Sequence, residues 1–143
     1  EYPEAFERLK QEPQLLPVAI EEVLRYRSSV QGMERFTKVE TQLGGQTIPA
    51  GQMVIVWMGS ANRDETQFDR PDEFVVDRNP NPHLSFGNGI HFCLGAPLAR
   101  LEGKIVLSAV LERLPNLRID PNSTRSFIPS TGVHGVKSLP VLL

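Results

Sequence analysis

The run Phe86-Gly87-Asn88-Gly89-Ile90-His91-Phe92-Cys93-Leu94-Gly95 brings the only cysteine of the chain to a loop with three glycines. Cysteine acts as a metal ligand or nucleophile through its thiolate. Pro97 and the apolar series Leu98, Leu101, Ile105, Leu111 and Leu114 predict a helix beginning just downstream. The sulfur therefore faces a helix N-terminus, where unpaired N–H groups and the positive end of the helix dipole favour an anion. The glycines let the backbone approach something flat and bulky. A lone thiolate in such a loop is one way of holding a haem iron. Two other readings stay open: an inert buried cysteine acting as a small apolar side chain, and a nucleophile paired with a histidine, for which no orienting third group is evident.

The elements that position this loop are legible along the chain. Residues 1–13 read as the tail of a helix and a turn, and Pro17 opens a second helix running to about Arg27. Ile20, Val23 and Leu24 give that helix an apolar face, with Glu21, Glu22 and Arg25 off it or at its border. From Met33 to Trp57, β-branched and apolar runs broken by Gly44-Gly45 and Pro49-Ala50-Gly51 predict a hairpin of three brief strands. Residues 58–67 are expected to form a short helix. Phe68 to Pro82, rich in Asp, Asn, Arg and Pro without periodicity, reads as a meandering surface loop. The helix from Pro97 to Leu114 is the longest element and is stopped by Pro115. Residues 117–143 alternate short strand-like runs with turns.

Composition bounds the function. The 143 residues suffice for one modest domain, and 40% apolar content is ordinary for a globular protein. Charges are interspersed, with a formal net charge of −2 and a pI near 5.9, which gives no electrostatic case for nucleic acid or a membrane surface as partner. No apolar run approaches the length of a bilayer span. Glu1-Tyr2-Pro3-Glu4 is neither a signal peptide nor an initiating sequence, so the chain is expected to be a piece of a longer one. One cysteine forbids an internal disulfide, and with only His83, His91 and His134 it cannot complete a structural zinc site. A reducing, cytoplasmic setting is the expectation.

A second motif, Glu22-Val23-Leu24-Arg25, places an acid and a base one helical turn apart, where they can meet. Read alone, such a pair is a surface ion pair worth ~0–1 kcal/mol. Combined with the spaced Phe86, Gly87, Gly89, His91, Cys93 and Gly95, the chain resembles a cytochrome P-450 of the soluble bacterial type. Ile48-Pro49-Ala50-Gly51, Ala61-Asn62-Arg63-Asp64, Phe68-Asp69-Arg70-Pro71, Phe74 to Arg78 and Leu98-Ala99-Arg100-Leu101-Glu102 share the likeness. The resemblance implies an α+β fold, mainly helical with short β-sheets. It makes residues 1–143 the C-terminal part of one domain, without the N-terminal part and the long central helix.

The resemblance also implies roles. Cys93 becomes the axial ligand of haem b iron, whose thiolate pushes electron density toward O–O cleavage. Phe86 shields the sulfur, or is plain core packing, and Gly87 lets the loop approach the ring. His91 meets one haem propionate, unless it is a solvated loop residue. Arg35, entering a strand, meets the other with its donor fork. Glu22 and Arg25 are buried and joined by an arginine of the meander, Arg78, with His83 as the alternative, fastening the helix to the cysteine loop. Ser28 to Met33 and Ser130 to Gly135 border the substrate, with Val30 and Val133 as pocket residues or ordinary loop and core positions. Arg63, Arg100 and Lys104 form a docking face for an acidic electron donor, or simply a solvated face.

The implied function of the intact parent is insertion of one oxygen atom of O2 into a small organic substrate, with electrons from a ferredoxin-like donor. The alternatives are a haem-thiolate peroxygenase or isomerase needing no donor, and a catalytically silent truncated module without haem that self-associates through its apolar surface. By itself the piece is expected to be inactive and to hold haem weakly, since it supplies one face of the pocket.

Overall fold

The computed structural model describes residues 2–143; Glu1, part of the predicted first segment, lies outside them. Helix α1 (Pro3–Gln11) has proline in its first turn and Arg8 and Lys10 in its last, matching the ends of the helix dipole. A single 3-10 turn, Pro13–Leu15, leads into α2 (Leu16–Tyr26), closed by the Arg27 N–H on the Val23 carbonyl.

Residues 33–56 form four strands, not three. β1 (Met33–Phe36) pairs antiparallel with β4 (Met53–Val56), and β2 (Thr41–Leu43) with β3 (Gln46–Ile48) is nested between them. Gly44 and Gly45, at φ 56° and 77°, make the two-residue turn of the inner hairpin. The ladder splits because Pro49 has no N–H to donate; Thr37 bridges the gap, its hydroxyl donating to the Pro49 carbonyl at 2.6 Å. Helix α3 (Met58–Ala61) stops six residues short of the expected end. There the Asn62 carbonyl is taken by Arg25 Nη1 at 2.7 Å.

The chain then runs without regular structure to a 3-10 turn at Gly89–His91 and to α4 (Ala96–Arg113), the longest helix. β5 (Arg118–Ile119) pairs with β8 (Val141–Leu142), and β6 (Ser126–Phe127) with β7 (Val136–Ser138). No helix is long and apolar enough to cross a membrane among the described residues.

The expected apolar face of α2 needs one correction, at Val23, and α4 buries a stripe that its apolar series does not mark. Val23 is 43% exposed, whereas Glu22 and Arg25 are buried beside Leu16, Ala19 and Ile20, so the inward face of α2 is part aliphatic and part ionic. Helix α4 packs on α2 and α1 not through Leu98, Leu101 and Ile105, which are exposed, but through a stripe containing Ala96 and Gly103. The physical reason is size. Small residues leave room for Ile20 at the crossing, where a Cβ added at Gly103 would sit at an ordinary contact distance of 3.7 Å from Ile20 Cγ2 and a larger side chain would not fit. An aromatic cluster of Tyr2, Tyr26 and Phe74, with ring centroids 5.1–5.7 Å apart, ties α1 and α2 to the irregular stretch.

Gly103→Ala is expected to stabilise the chain by up to about 1 kcal/mol, because it relieves a helix-interior glycine at ordinary contact distance. Gly103→Leu is expected to cost about 1–3 kcal/mol by overpacking against Ile20. Ile105→Lys, on the outward stripe, should stay within about 0.5 kcal/mol. Urea midpoints of the three variants check this ordering.

Candidate functional site

Among the described residues the largest fully buried side chains are polar: Arg25, Glu22, Asn62 and Ser28. A buried carboxylate is tolerated only if paired and hydrogen-bonded, and Glu22 is both. Arg25 grips it with Nε at 2.8 Å and Nη2 at 2.9 Å. Arg78 Nε lies 3.1 Å and 3.2 Å from its two oxygens, Asn81 Nδ2 donates at 3.1 Å, and the Val75 N–H donates at 2.8 Å. Desolvation pushes the Glu22 carboxyl upward, but the donors from Arg25, Val75 and Arg78 outweigh it and hold it below the ordinary carboxylate range.

The remaining donors of the two guanidiniums go to backbone. Arg25 donates to the carbonyls of Asn62, Pro71 and Glu73. Arg78 donates to those of Asp69, Arg70 and Glu73. All these acceptors belong to the irregular stretch after α3, whose carbonyls have no ladder or helix to satisfy them. His83, the alternative third partner, does not reach Glu22; its Nε2 lies 2.9 Å from Oε2 of Glu21.

Sequence reasoning assigned no role to Asn62, which is the next link. Its side-chain amide donates to the Ser28 and Ser85 hydroxyls at 2.8 Å and 2.9 Å, and its oxygen accepts the Leu84 N–H at 2.7 Å. Ser85 Oγ also donates to the Leu24 carbonyl at 2.6 Å. One polar network thus joins the end of α2, the end of α3 and the entry to the cysteine loop. A hint lay in the tetrapeptide Ala61-Asn62-Arg63-Asp64, which puts an asparagine and an aspartate, both favoured in turns, inside the helix predicted over 58–67.

The loop itself is closed by the Cys93 N–H on the Phe86 carbonyl at 2.8 Å, by Gly87 N–H on Leu84, and by Phe92 N–H on Gly89. Gly87 has φ 73°, a conformation that side-chain-bearing residues rarely adopt, so glycine is favoured there. Cys93 is exposed, three residues before the first residue of α4. Ile90 and Leu94, on either side of it, are each 98% exposed. Phe86 is half-buried and lies edge-on to Phe92, 6.4 Å between centroids. His91 is exposed and makes no side-chain hydrogen bond among the described residues. Arg35 sits on β1, exposed, its Nη1 bound only to the neighbouring Glu34 carbonyl, with no hydrogen bond or ion pair to the cysteine loop.

Val30 and Val133 form an isolated antiparallel bridge. Gln31 N–H donates to the Gly132 carbonyl at 2.8 Å and His134 N–H to Ser29 at 2.7 Å. The two segments read as pocket borders are therefore one short ladder. Of the expected docking cations, Arg63 pairs with Asp72 at 2.8 Å and lies 4.0 Å over the Tyr26 ring, while Arg100 pairs with Glu21. Neither is a plain solvated charge; Lys104 makes no ion pair among the described residues.

No group of three His, Cys, Asp or Glu side chains is set to hold a metal ion among the described residues. Cys93 is thus a lone soft donor. That donor set does not suit a bare ion, and it fits a metal whose other positions are filled by a macrocycle, as in a thiolate-ligated haem. The apolar, exposed Ile90 and Leu94 suit the contact of such a ring.

Comparison with known proteins agrees in extent. The family profile described as Cytochrome P450 matches residues 7–140. Cytochrome P450 109 of Bacillus spizizenii is 53% identical over 85% of this chain and 30% of its own length. The steroid C26-monooxygenase of Mycobacterium tuberculosis is 44% identical over 94% of this chain and 36% of its own. The crystal structure of CYP109E1 from Bacillus megaterium in complex with testosterone superposes with a TM-score of 0.94 at 50% identity, covering 97% of this chain and 39% of that one. The chain spans about a third of the length of the curated relatives it matches.

Removing one partner from the buried network, as in Glu22→Gln or Arg25→Met, is expected to cost about 3–5 kcal/mol, and Asn62→Ala about 1–3 kcal/mol. Glu21 and Glu22 are both held below the ordinary carboxylate range in the folded chain. Their stabilisation is therefore whole above that range and is lost as the pH falls through it. Unfolding midpoints measured from pH 7 down to pH 3 should decline, and should decline less in Glu22→Gln.

Proposed function

Because the chain belongs to the cytochrome P450 family, we propose that the protein carrying it is a haem-thiolate monooxygenase whose iron is held by Cys93. The single observation that carries this reading is the exposed Cys93 on a hydrogen-bonded loop ahead of α4, with no competing metal-ligand cluster among the described residues. On this reading, residues 1–143 are the C-terminal portion of one domain. When bound, the haem supplies the chemistry that inserts one oxygen atom of O2 into a small organic substrate, using externally supplied electrons.

The chain's own residues then have the following work. Cys93 presents its sulfur with the backbone already locked by the bond from its N–H to the Phe86 carbonyl. Phe86 is the ring that would shield the sulfur once the haem is bound, since its own carbonyl already holds the Cys93 N–H. Gly87 leaves the loop thin enough for the ring to approach. His91 and Arg35 are the donors for the two carboxylates of the ring; Arg35 commits one donor of its fork to Glu34, leaving others to bind outward. Glu22, Arg25 and Arg78 do no chemistry and hold the stretch that leads into the loop. Val30 and Val133, bridged to each other, form one wall against which the substrate is oriented.

On this reading the electron donor is a ferredoxin-like protein, and the setting is the cytoplasm, which the free cysteine suits. Exposed Leu98, Leu101, Ile105 and Val106 support self-association of the chain on its own. Gel filtration of the isolated chain is then expected to give a species larger than its 16.0 kDa monomer; a clean monomer counts against that.

The central test is Cys93→Ala in the full-length protein. Expected is loss of the Soret band of the thiolate-ligated iron together with substrate oxidation; unchanged absorbance and turnover overturn the assignment. Turnover of the unaltered protein with peroxide but not with a reduced ferredoxin would move the reaction to the peroxygenase class.

A further inference from the structure

Next to the buried pair on α2, Glu21 points elsewhere and builds a second junction. Its Oε1 accepts Arg100 Nε at 2.7 Å and its Oε2 accepts Arg100 Nη2 at 2.8 Å, a two-pronged contact from the second turn of α4. The same Oε2 lies 2.9 Å from His83 Nε2. His83 has a side chain only 3% exposed, and its Nδ1 accepts the Ser85 N–H at 3.2 Å. With one ring nitrogen accepting from a backbone donor, the other is left to donate to Glu21, so both nitrogens are used in one tautomer. The guanidinium of Arg100 lies 4.8 Å from the centre of the Phe86 ring, and the His83 ring is 6.1 Å from it. The Phe86 carbonyl in turn receives the Cys93 N–H. Hydrogen bonds from Arg100 and His83 hold the Glu21 carboxyl below its usual range against some desolvation.

We propose that Glu21, His83 and Arg100 are positioning residues that hold the Phe86 ring, and through its carbonyl the Cys93 backbone, in fixed relation to α2 and α4, thereby setting how much water reaches the sulfur. The proposal rests on Cys93 being the metal ligand. It differs from the role of Glu22, Arg25 and Arg78, whose donors end on the irregular stretch and never reach the loop's aromatic ring. It also removes Arg100 from a simple docking face, since its flat fork is spent on Glu21 and on the ring.

The direction of the effect follows from charge. A porphyrin dianion, a thiolate and Fe(III) sum to zero, and reduction leaves one negative charge. Water admitted beside the sulfur stabilises that charge, so loosening Phe86 raises the midpoint potential of the Fe(III)/Fe(II) couple. The variants are chosen to leave formal charge unchanged: His83→Leu, His83→Gln and Arg100→Lys in the full-length haem protein. A lysine keeps the ion pair with Glu21 but has no fork and no flat face for the ring. A glutamine keeps a donor for Glu21.

Expected are an upward shift in potential in His83→Leu and Arg100→Lys, a smaller shift in His83→Gln, and amide hydrogen exchange at Cys93 about tenfold faster in the first two, the scale of one lost net hydrogen bond. Arg8→Gln, which removes an exposed pair with Asp77, should leave both readouts unchanged. If His83→Leu does not fold, Arg100→Lys decides alone. Unchanged potential and exchange in Arg100→Lys overturn the proposal while leaving Cys93 as ligand. Absence of thiolate-ligated iron in the unaltered protein overturns the ligand assignment and this proposal with it.

Discussion

A carboxylate with no solvent exposure is the constraint around which the molecule is organised. Glu22 is stable in the interior only because two guanidiniums, an amide and a backbone N–H surround it. The reciprocal benefit falls to the backbone. Residues 62–88 include a long stretch with neither helix nor strand, yet Phe68 and Val76 within it are buried. Burying irregular backbone strands its carbonyls. Arg25 and Arg78 supply the missing donors to five of those residues, Asn62, Asp69, Arg70, Pro71 and Glu73. The ion cluster therefore substitutes for regular secondary structure in this part of the fold.

Consecutive residues of a helix point about 100° apart, and α2 uses that turn to serve two regions at once. Glu22 faces the irregular stretch; Glu21 faces α4 and the cysteine loop. Ser28 and Asn62 then bind Ser85 between them. The loop is consequently tied to the helical layer at His83, at Ser85 and at the Phe86 ring before it reaches Cys93. A loop fastened this way can present an exposed sulfur without collapsing onto it, since its backbone bonds are closed internally and its exposed apolar tips, Ile90 and Leu94, remain outward.

Apolar packing contributes less than the length of α4 suggests. One stripe of that helix, with Ala96 and Gly103, meets α2; another, with Leu98, Leu101 and Ile105, stays exposed. A helix apolar on two sides belongs between two layers. Among the described residues only one of those layers is present.

Helices α1, α2 and α4, the glycine turns and the loop carrying Cys93 were legible in the residues, because proline, glycine and helical periodicity act locally; the fourth strand of residues 33–56 and the early end of α3 were not. The likeness of the two motifs to a family was legible too, and the comparisons bear it out. Which face of a helix is buried was not legible from spacing alone. Periodicity put Val23 on the apolar face of α2 and marked α4 by Leu98, Leu101 and Ile105, yet the fold exposes all four. It buries Glu22 and Arg25, as the family resemblance implied and periodicity did not, because the partners that settle a buried charge, Val75, Arg78 and Asn81, come from a distant segment. For the same reason tertiary structure alone decided that Asn62 would join three segments, that His83 would meet Glu21 and not Glu22, and that Val30 would bridge Val133. What a residue can do is written in its type and near neighbours; what it does is decided by the atoms that folding brings to it.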